Sequence, residues 1–190
     1  MTKKTLNQND KYFHEFIDGI EPDFIFSNKP INRFKVIKKS IDNDKTEKLS
    51  KLKEQINSIE NCNLKDNSKN LVMGDGDINS PIMIVGEAPG NLEDNSGHSF
   101  QGEIGVLLKK MLSAININIE KIYRTYSVNF RPPDDRKPTA QEIRRYSIFL
   151  KDHIAIINPE ILILMGSTAM EAVSSLNGKI SDERGKWKEI

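Results

Sequence analysis

Three short apolar runs, each followed by a segment with helical spacing, set the pattern of the chain after residue 70. β-Branched, aromatic and Leu residues predict buried strands at 82–85, 122–128 and 161–165. Apolar residues recur at helical spacing at 104–115, 143–157 and 169–173. The third run is continuous in apolar residues, which is typical of a central parallel strand. This alternation predicts a three-layer α/β/α domain with a mostly parallel central sheet.

The first 70 residues have a different pattern. They are polar and rich in Lys, Asn and Asp. A narrow apolar stripe predicts an amphipathic helix with an N-cap among residues 42–44; its members are Leu49, Leu52, Ile56 and Ile59. A shorter helix is predicted by Phe13, Phe16, Ile17 and Ile20. We therefore divide the chain into a polar helical N-terminal extension, 1–70, and an α/β domain, 71–190.

The predicted order of elements brings distant residues to one edge of the sheet. The loops that follow residues 85, 128 and 165 must leave parallel strands at the same end. Ligands of open α/β sheets bind outside the carboxyl ends of the strands. We expect one crevice there that gathers Glu87, Phe100, Asn129, Arg131, Arg136 and Ser167.

Glu87 is the first candidate for a chemical role. It follows the strand at 82–85 and lies in a turn that Gly86, Pro89 and Gly90 make stiff and sharp. From these residues alone, a plain strand-to-loop turn with a solvated acid is the preferred interpretation. Phe100 stands alone in a polar loop, where an aromatic side chain either anchors the loop to the core or stacks on a flat ligand.

Charge changes this picture only locally. The whole chain has 28 Lys or Arg and 27 Asp or Glu residues, so net charge indicates no partner. Residues 121–145 contain seven basic and three acidic side chains, which fits either a phosphate-bearing ligand or a solvated helix face. No His or Cys lies at ligand spacing from His98, so we expect no metal site.

A single cysteine excludes an intramolecular disulfide and suits a reducing cytosol. No run approaches the ~20 apolar residues of a membrane span, and no signal peptide is recognised. We expect a cytoplasmic monomer without membrane contact.

An ordered set of motifs resembles the type-4 uracil-DNA glycosylases over residues 70–190, in the family's order and spacing. The first half of the set is Gly86-Glu87-Ala88-Pro89-Gly90, Glu93-Asp94, and Phe100-x-Gly-x-x-Gly-x-Leu-Leu ending at Leu108. The second half is Arg131-Pro132-Pro133-x-x-Arg136-x-Pro138-Thr139, Asn158-Pro159, the strand leading to Gly166, and Arg184-Gly185-x-Trp187. The polar N-terminal section is similar to the extension of some bacterial members.

The resemblance implies a DNA repair enzyme that flips uracil out of DNA and hydrolyses its N-glycosidic bond, in base excision repair. Glu87 is then the catalytic carboxylate, and Phe100 stacks on the flipped base. The implied uracil-binding positions are Gly86, Ala88, Glu93, Phe100, Tyr126 and Asn129. The implied DNA-binding positions are Arg131, Arg136, Lys137 and Ser167. The partner is uracil-containing DNA, single- or double-stranded.

The chain departs from the family pattern in three places. The family's four iron–sulfur ligands fall on Ile59, Cys62, Phe130 and Tyr146, so Cys62 is the one remaining cluster-ligand position and we expect no cofactor. The uracil-reading Asn falls on Tyr126, with Asn129 the nearest amide. A final His-Pro-Ser-Tyr-Leu-Leu type motif should follow residue 190, so we expect the domain to be incomplete at its C-terminus. These departures leave an alternative, a catalytically impaired or inactive DNA-binding remnant of the family.

Overall fold

The computed structural model describes residues 33–174 and 180–189, with side chains from residue 44 onward. The chain divides into two compact units, Met1–Ile37 and Lys38–Ile190. The description below concerns the second unit, apart from the start of one helix at Arg33. The helix predicted around residues 13–20 lies outside the described residues. None of the helices in the described ranges has the length and apolar content of a membrane span.

The sheet contains three parallel strands in the order β2-β1-β3, with β1 at Ile82–Gly86, β2 at Tyr123–Tyr126 and β3 at Ile161–Leu164. Gly86 pairs with Tyr126, and Val85 pairs with Leu164, so the carboxyl ends of the strands are level. This confirms the predicted parallel sheet.

The expectation of a central position for residues 161–165 is wrong. Among the described strands β3 has one neighbour, β1, and lies at an edge. Ile161 and Ile163 are 36% and 39% exposed. A continuous apolar run did not distinguish an edge strand from a central one, because β3 packs Leu162 and Leu164 against one helical layer and also carries apolar side chains on its exposed face. The central position belongs to β1, which is buried from Met83 to Gly86.

The helices surround this sheet. Their bounds are α1 Arg33–Asn57, α2 Asn63–Asp66, α3 Asn91–Ser96, α4 Gly102–Ala114, α5 Ala140–Ile157, α6 Ser167–Ser174 and α7 Ile180–Glu183. Short 3₁₀ turns occupy Ile119–Lys121 and Pro133–Asp135. The predicted N-cap at 42–44 is wrong, because α1 already begins at Arg33 and these residues lie inside it.

Helix α5 begins with a capping box. The Thr139 hydroxyl accepts the Glu142 N–H at 3.3 Å, and the Glu142 carboxylate accepts the Thr139 N–H at 2.7 Å. The helix ends at Asn158, whose left-handed backbone (φ 51°) turns the chain before Pro159. Both boundaries follow from local chemistry that the sequence displays.

Alternating side chains of β1 separate the two helical layers. Met83 and Val85 pack with α5 and α6, through residues such as Leu150 and Ala169. Ile84 points to the opposite face and packs with Leu108 and the rest of the buried side of α4. The three-layer α/β/α fold is therefore confirmed.

Candidate active site

Glu87 lies at the carboxyl edge of the sheet, in the segment 86–90 that we call the carboxylate loop. The start of the loop is held in place by Ser127. The Gly86 carbonyl accepts hydrogen bonds from the Ser127 N–H at 2.9 Å and from the Ser127 hydroxyl at 2.7 Å. The Glu87 side chain is half-buried, and its Oε2 accepts a hydrogen bond from Thr168 Oγ1 at 2.7 Å. The helix after β3 thus orients the carboxylate that follows β1.

Thr168 was missed by the sequence analysis. It is 5% exposed and lies in the first turn of α6, directly after Ser167. Its position just past a strand that ends at the same edge as β1 was the available signal. Ser167 itself is exposed at the helix N-terminus.

Glu93 fastens the end of the carboxylate loop to the start of α4. One of its oxygens accepts the Gly90 N–H at 3.0 Å, and the other accepts the Gln101 N–H at 2.8 Å. The side chain is 7% exposed. Both oxygens therefore serve backbone donors. The helix α3 that carries Glu93 interrupts the polar loop that the sequence analysis placed before and around Phe100.

Phe100 and Tyr126 form a buried aromatic stack. Their ring centroids are 4.9 Å apart at an interplanar angle of 19°, and the Tyr126 hydroxyl accepts the Phe100 N–H at 2.9 Å. The two residues are 7% and 6% exposed. Burial raises the pKa of Tyr126 well above its usual value, so the hydroxyl stays protonated. In this arrangement Phe100 is a core anchor, and its stacking on a base stays a prediction.

Asn129 is turned into the core, where it is 5% exposed. Its side-chain amide donates to the Val72 carbonyl at 3.1 Å, and its own carbonyl accepts the Val72 N–H at 2.9 Å. Asn129 holds the chain before β1 in place. A role in reading uracil stays a prediction.

A second interaction that the sequence analysis missed holds the other side of the Phe100 turn. Asp75 accepts the Ser99 N–H and contacts His98 Nδ1 at 2.8 Å. Partial burial opposes ionisation of Asp75, but the hydrogen bonds from His98 and Ser99 dominate and lower the pKa of this carboxyl. The segment that leads into α4 is therefore tied down at Glu93 and at Asp75.

Two of the predicted basic residues, Arg131 and Arg136, are paired with acids. Arg131 contacts Asp135 through Nε at 2.7 Å and Nη2 at 2.9 Å. Arg136 forms a similar two-pronged pair with Glu142 at 2.9 and 2.7 Å, and this pairing lowers the pKa of Glu142 to about 2. Lys137 is exposed. Two of the four proposed DNA-binding side chains thus already have an anionic partner.

Residues 73–189 match the family model of the uracil DNA glycosylase superfamily, which is more than half of the chain. The chain belongs to the uracil-DNA glycosylase superfamily. This is a class of hydrolases that act on N-glycosidic bonds, so the chain is of DNA-glycosylase type.

Two of the relatives reported next agree with this placement by name. A type-4 uracil-DNA glycosylase of Pyrobaculum aerophilum is 36% identical over 140 residues, which is 74% of this chain and 71% of that protein. A type-4 uracil-DNA glycosylase of Thermotoga maritima is 38% identical over 117 residues, 62% of this chain and 61% of its own length. A DNA polymerase of Bacillus phage SP01 is 30% identical over 130 residues, which is 14% of the polymerase.

The four positions that the resemblance assigns to iron–sulfur ligands come together in one buried cluster. We call Ile59, Cys62, Phe130 and Tyr146 the Cys62 centre. Cys62 Sγ lies 3.2 Å from the Tyr146 hydroxyl. The rings of Phe130 and Tyr146 pack edge to face, with their centroids 6.4 Å apart. These four residues do not fit an iron–sulfur cluster. They supply one thiol, and apolar and aromatic side chains fill the space. In the described ranges no group of His, Cys, Asp and Glu side chains has metal-binding geometry.

Proposed function

We propose that this chain hydrolyses the N-glycosidic bond of uracil in DNA, in base excision repair. The observation that carries the proposal is the position of the Glu87 carboxylate at the carboxyl edge of the sheet. The Thr168 hydroxyl orients it through a hydrogen bond of 2.7 Å to Glu87 Oε2. The type-4 glycosylases to which the chain is similar support the choice of substrate.

The proposed reaction needs a carboxylate and a rigid set of backbone donors. The C1′–N1 bond breaks, its electron pair leaves with uracil, and water adds to C1′ while a proton goes to the base. Glu87 stabilises the positive charge on the sugar or holds the attacking water. N–H groups of the carboxylate loop, at Gly86 and Ala88, donate hydrogen bonds to the uracil oxygens and stabilise their developing negative charge as fixed dipoles.

The DNA path follows the same edge. Arg131, Arg136 and Lys137 neutralise backbone phosphates, and the exposed Ser167 adds a contact at the N-terminus of α6. Phe100 stacks on the flipped base, with Glu93 holding the segment that carries it. We propose that a monomer acts on single- or double-stranded DNA in the cytoplasm.

We also propose that the enzyme works without an iron–sulfur cluster. The support is the donor set of the Cys62 centre, which contains one sulfur. Purified protein should contain no stoichiometric iron and no visible iron–sulfur absorption band. Stoichiometric iron that leaves the protein when Cys62→Ala is introduced would contradict this.

Uracil release from a labelled oligonucleotide tests the activity. Glu87→Gln should lower the single-turnover rate by about 10² to 10³ fold, because a preorganised charge at the sugar is lost. Glu103→Gln, an exposed acid in the first turn of α4, is the matched control and should keep the parent rate. Equal rates for the parent and Glu87→Gln would remove Glu87 from the mechanism.

A second candidate function is DNA binding without turnover. The Phe100–Tyr126 stack favours this second function. Because both rings are buried against each other, Phe100 offers no open face on which a flipped base could stack for excision. Such a protein would bind uracil-containing or abasic DNA yet release no uracil under single-turnover conditions. Measuring binding and release on the same oligonucleotide separates the two candidates.

A further inference from the structure

The Phe100–Tyr126 stack is fixed from several directions. The hydrogen bond from the Phe100 N–H to the Tyr126 hydroxyl joins the same two residues that stack. Phe100 has a left-handed backbone (φ 52°), a conformation that a non-glycine residue keeps only when its surroundings enforce it. Gly105 permits this turn, since a Cβ there would lie 1.8 Å from the Phe100 carbonyl oxygen.

Gly86, the first residue of the carboxylate loop, closes the remaining side. It pairs with Tyr126 across β1 and β2. A Cβ at Gly86 would lie 2.8 Å from the Tyr126 ring and 3.0 Å from the Phe100 ring. The aromatic stack and the loop that carries Glu87 are therefore in direct contact, with no space between them for a third flat group.

We propose that Tyr126 is a plug that closes the base-binding face of Phe100, so that a flipped base binds only after the tyrosine ring leaves. This inference rests on the proposed function, in which Phe100 stacks on the base. The tyrosine ring and a pyrimidine are flat groups of comparable size, and they compete for the same aromatic surface. Tyr126 then sets both the rate of excision and the size of base that is accepted.

A closed pocket lowers the apparent affinity in proportion to the fraction of open molecules. If the open state is a minor one, a variant without the ring should act as a preopened enzyme. Tyr126→Asn should raise kcat/KM for uracil release by at least about tenfold, mainly through KM. Tyr126→Phe keeps the ring and should gain far less than Tyr126→Asn.

Binding of free uracil, measured by calorimetry, gives a readout that does not need turnover. Tyr126→Asn should bind uracil more tightly than the parent by a similar factor, and thymine should bind as well because the pocket is wider. Tyr123→Phe changes a neighbouring buried tyrosine of β2 and should leave uracil binding at the parent value. Tyr126→Val, which suits a strand and lacks the ring, replaces Tyr126→Asn if thermal melting shows that the latter is unfolded.

The outcomes separate this proposal from the proposed function. If folded Tyr126→Asn binds uracil but no variant releases it, the plug is supported and the proposed activity is contradicted. If the parent releases uracil in a Glu87-dependent manner and Tyr126→Asn is no faster and binds no tighter, the plug is wrong and the activity stands. If the parent, folded Tyr126→Asn and folded Tyr126→Val all fail to bind and to release uracil, both proposals are overturned.

Discussion

The carboxylate loop and the Cys62 centre are neighbours, but the loop is held by directed hydrogen bonds and the centre by apolar packing. Ala88 of the loop packs against the cluster that contains the Cys62 centre. The loop keeps polar groups in directed contacts, such as the bond from Thr168 to Glu87 at 2.7 Å. Among the four side chains of the centre there is one weakly polar contact, between Cys62 and Tyr146, within apolar packing.

This difference shows which part of the site needs particular atoms and which part needs only volume. A carboxylate that acts on a sugar has to be held in one orientation by named donors. A support behind the loop has to be dense and rigid, and the buried aromatic packing of the Cys62 centre supplies that density. The following predictions test this division of roles.

The largest expected effect is on the stability of the Cys62 centre. Phe130→Ala should lower the free energy of unfolding by about 3–5 kcal/mol, because a buried ring is replaced by a cavity. Phe130 is 4% exposed, whereas Ile148 of α5 is 64% exposed, so Ile148→Ala is the control. Denaturant unfolding measures both variants. A loss below about 1 kcal/mol for Phe130→Ala would mean that the centre is not a structural support.

A buried polar group on α5 provides the next test. His153 is 2% exposed, and its Nε2 lies 2.8 Å from the Tyr123 hydroxyl. Burial lowers the pKa of His153 from 6.5 to about 4. The unfolded chain therefore takes up a proton first as the pH falls through this window, and the native state loses stability.

We expect the free energy of unfolding to fall by about 1.4 kcal/mol per pH unit from this group, or roughly 3 kcal/mol in total between pH 6.5 and 4. His153→Gln removes the titration while keeping an acceptor for Tyr123. Above pH 6.5 the free energy of unfolding should depend on pH with the same slope in the parent and in the variant. Parallel stability curves below that pH would contradict the neutral, buried state of His153.

A smaller effect is expected for Thr168, which acts on the reaction through Glu87. Thr168→Val should lower kcat by about tenfold, because a hydrogen bond to a carboxylate is lost while the volume is kept. Thr168→Ser restores the hydroxyl and should recover most of the rate. Equal rates for the Ser and Val variants would show that Thr168 only packs.

The sequence predicted those features that local chemistry decides. The strand β1 with an acid just past its end, and the helical spacing over 143–157 that lies in α5, both agree with the structure. Helix α3 was missed because its six polar residues, NLEDNS, have no apolar period, and Glu93 bonds to Gly90 and Gln101 stabilise it.

Long-range contacts could not be predicted in the same way. Thr168 meets a carboxylate 81 positions earlier, and Tyr126 meets the Phe100 N–H 26 positions earlier. Both contacts depend on the register of the parallel strands, which one-residue shifts would change. The sequence indicated that these loops share an edge of the sheet, but it did not indicate which of their side chains are in contact.

The smallest expected effect concerns the DNA path beside the carboxylate loop. Arg131 and Arg136 each have a carboxylate partner, and these hydrogen bonds raise the pKa of both guanidinium groups. A phosphate has to compete with Asp135 or Glu142, so each contact contributes less affinity than a free arginine would. The double variant Arg131→Ala with Arg136→Ala should flatten the log–log salt dependence of DNA binding by at most about two units, because each lost phosphate contact accounts for about one. Lys109→Ala, on the exposed side of α4, should leave the slope unchanged. If the double variant binds with the slope of the parent, phosphates do not reach these arginines, and the DNA follows another path across the edge of the sheet.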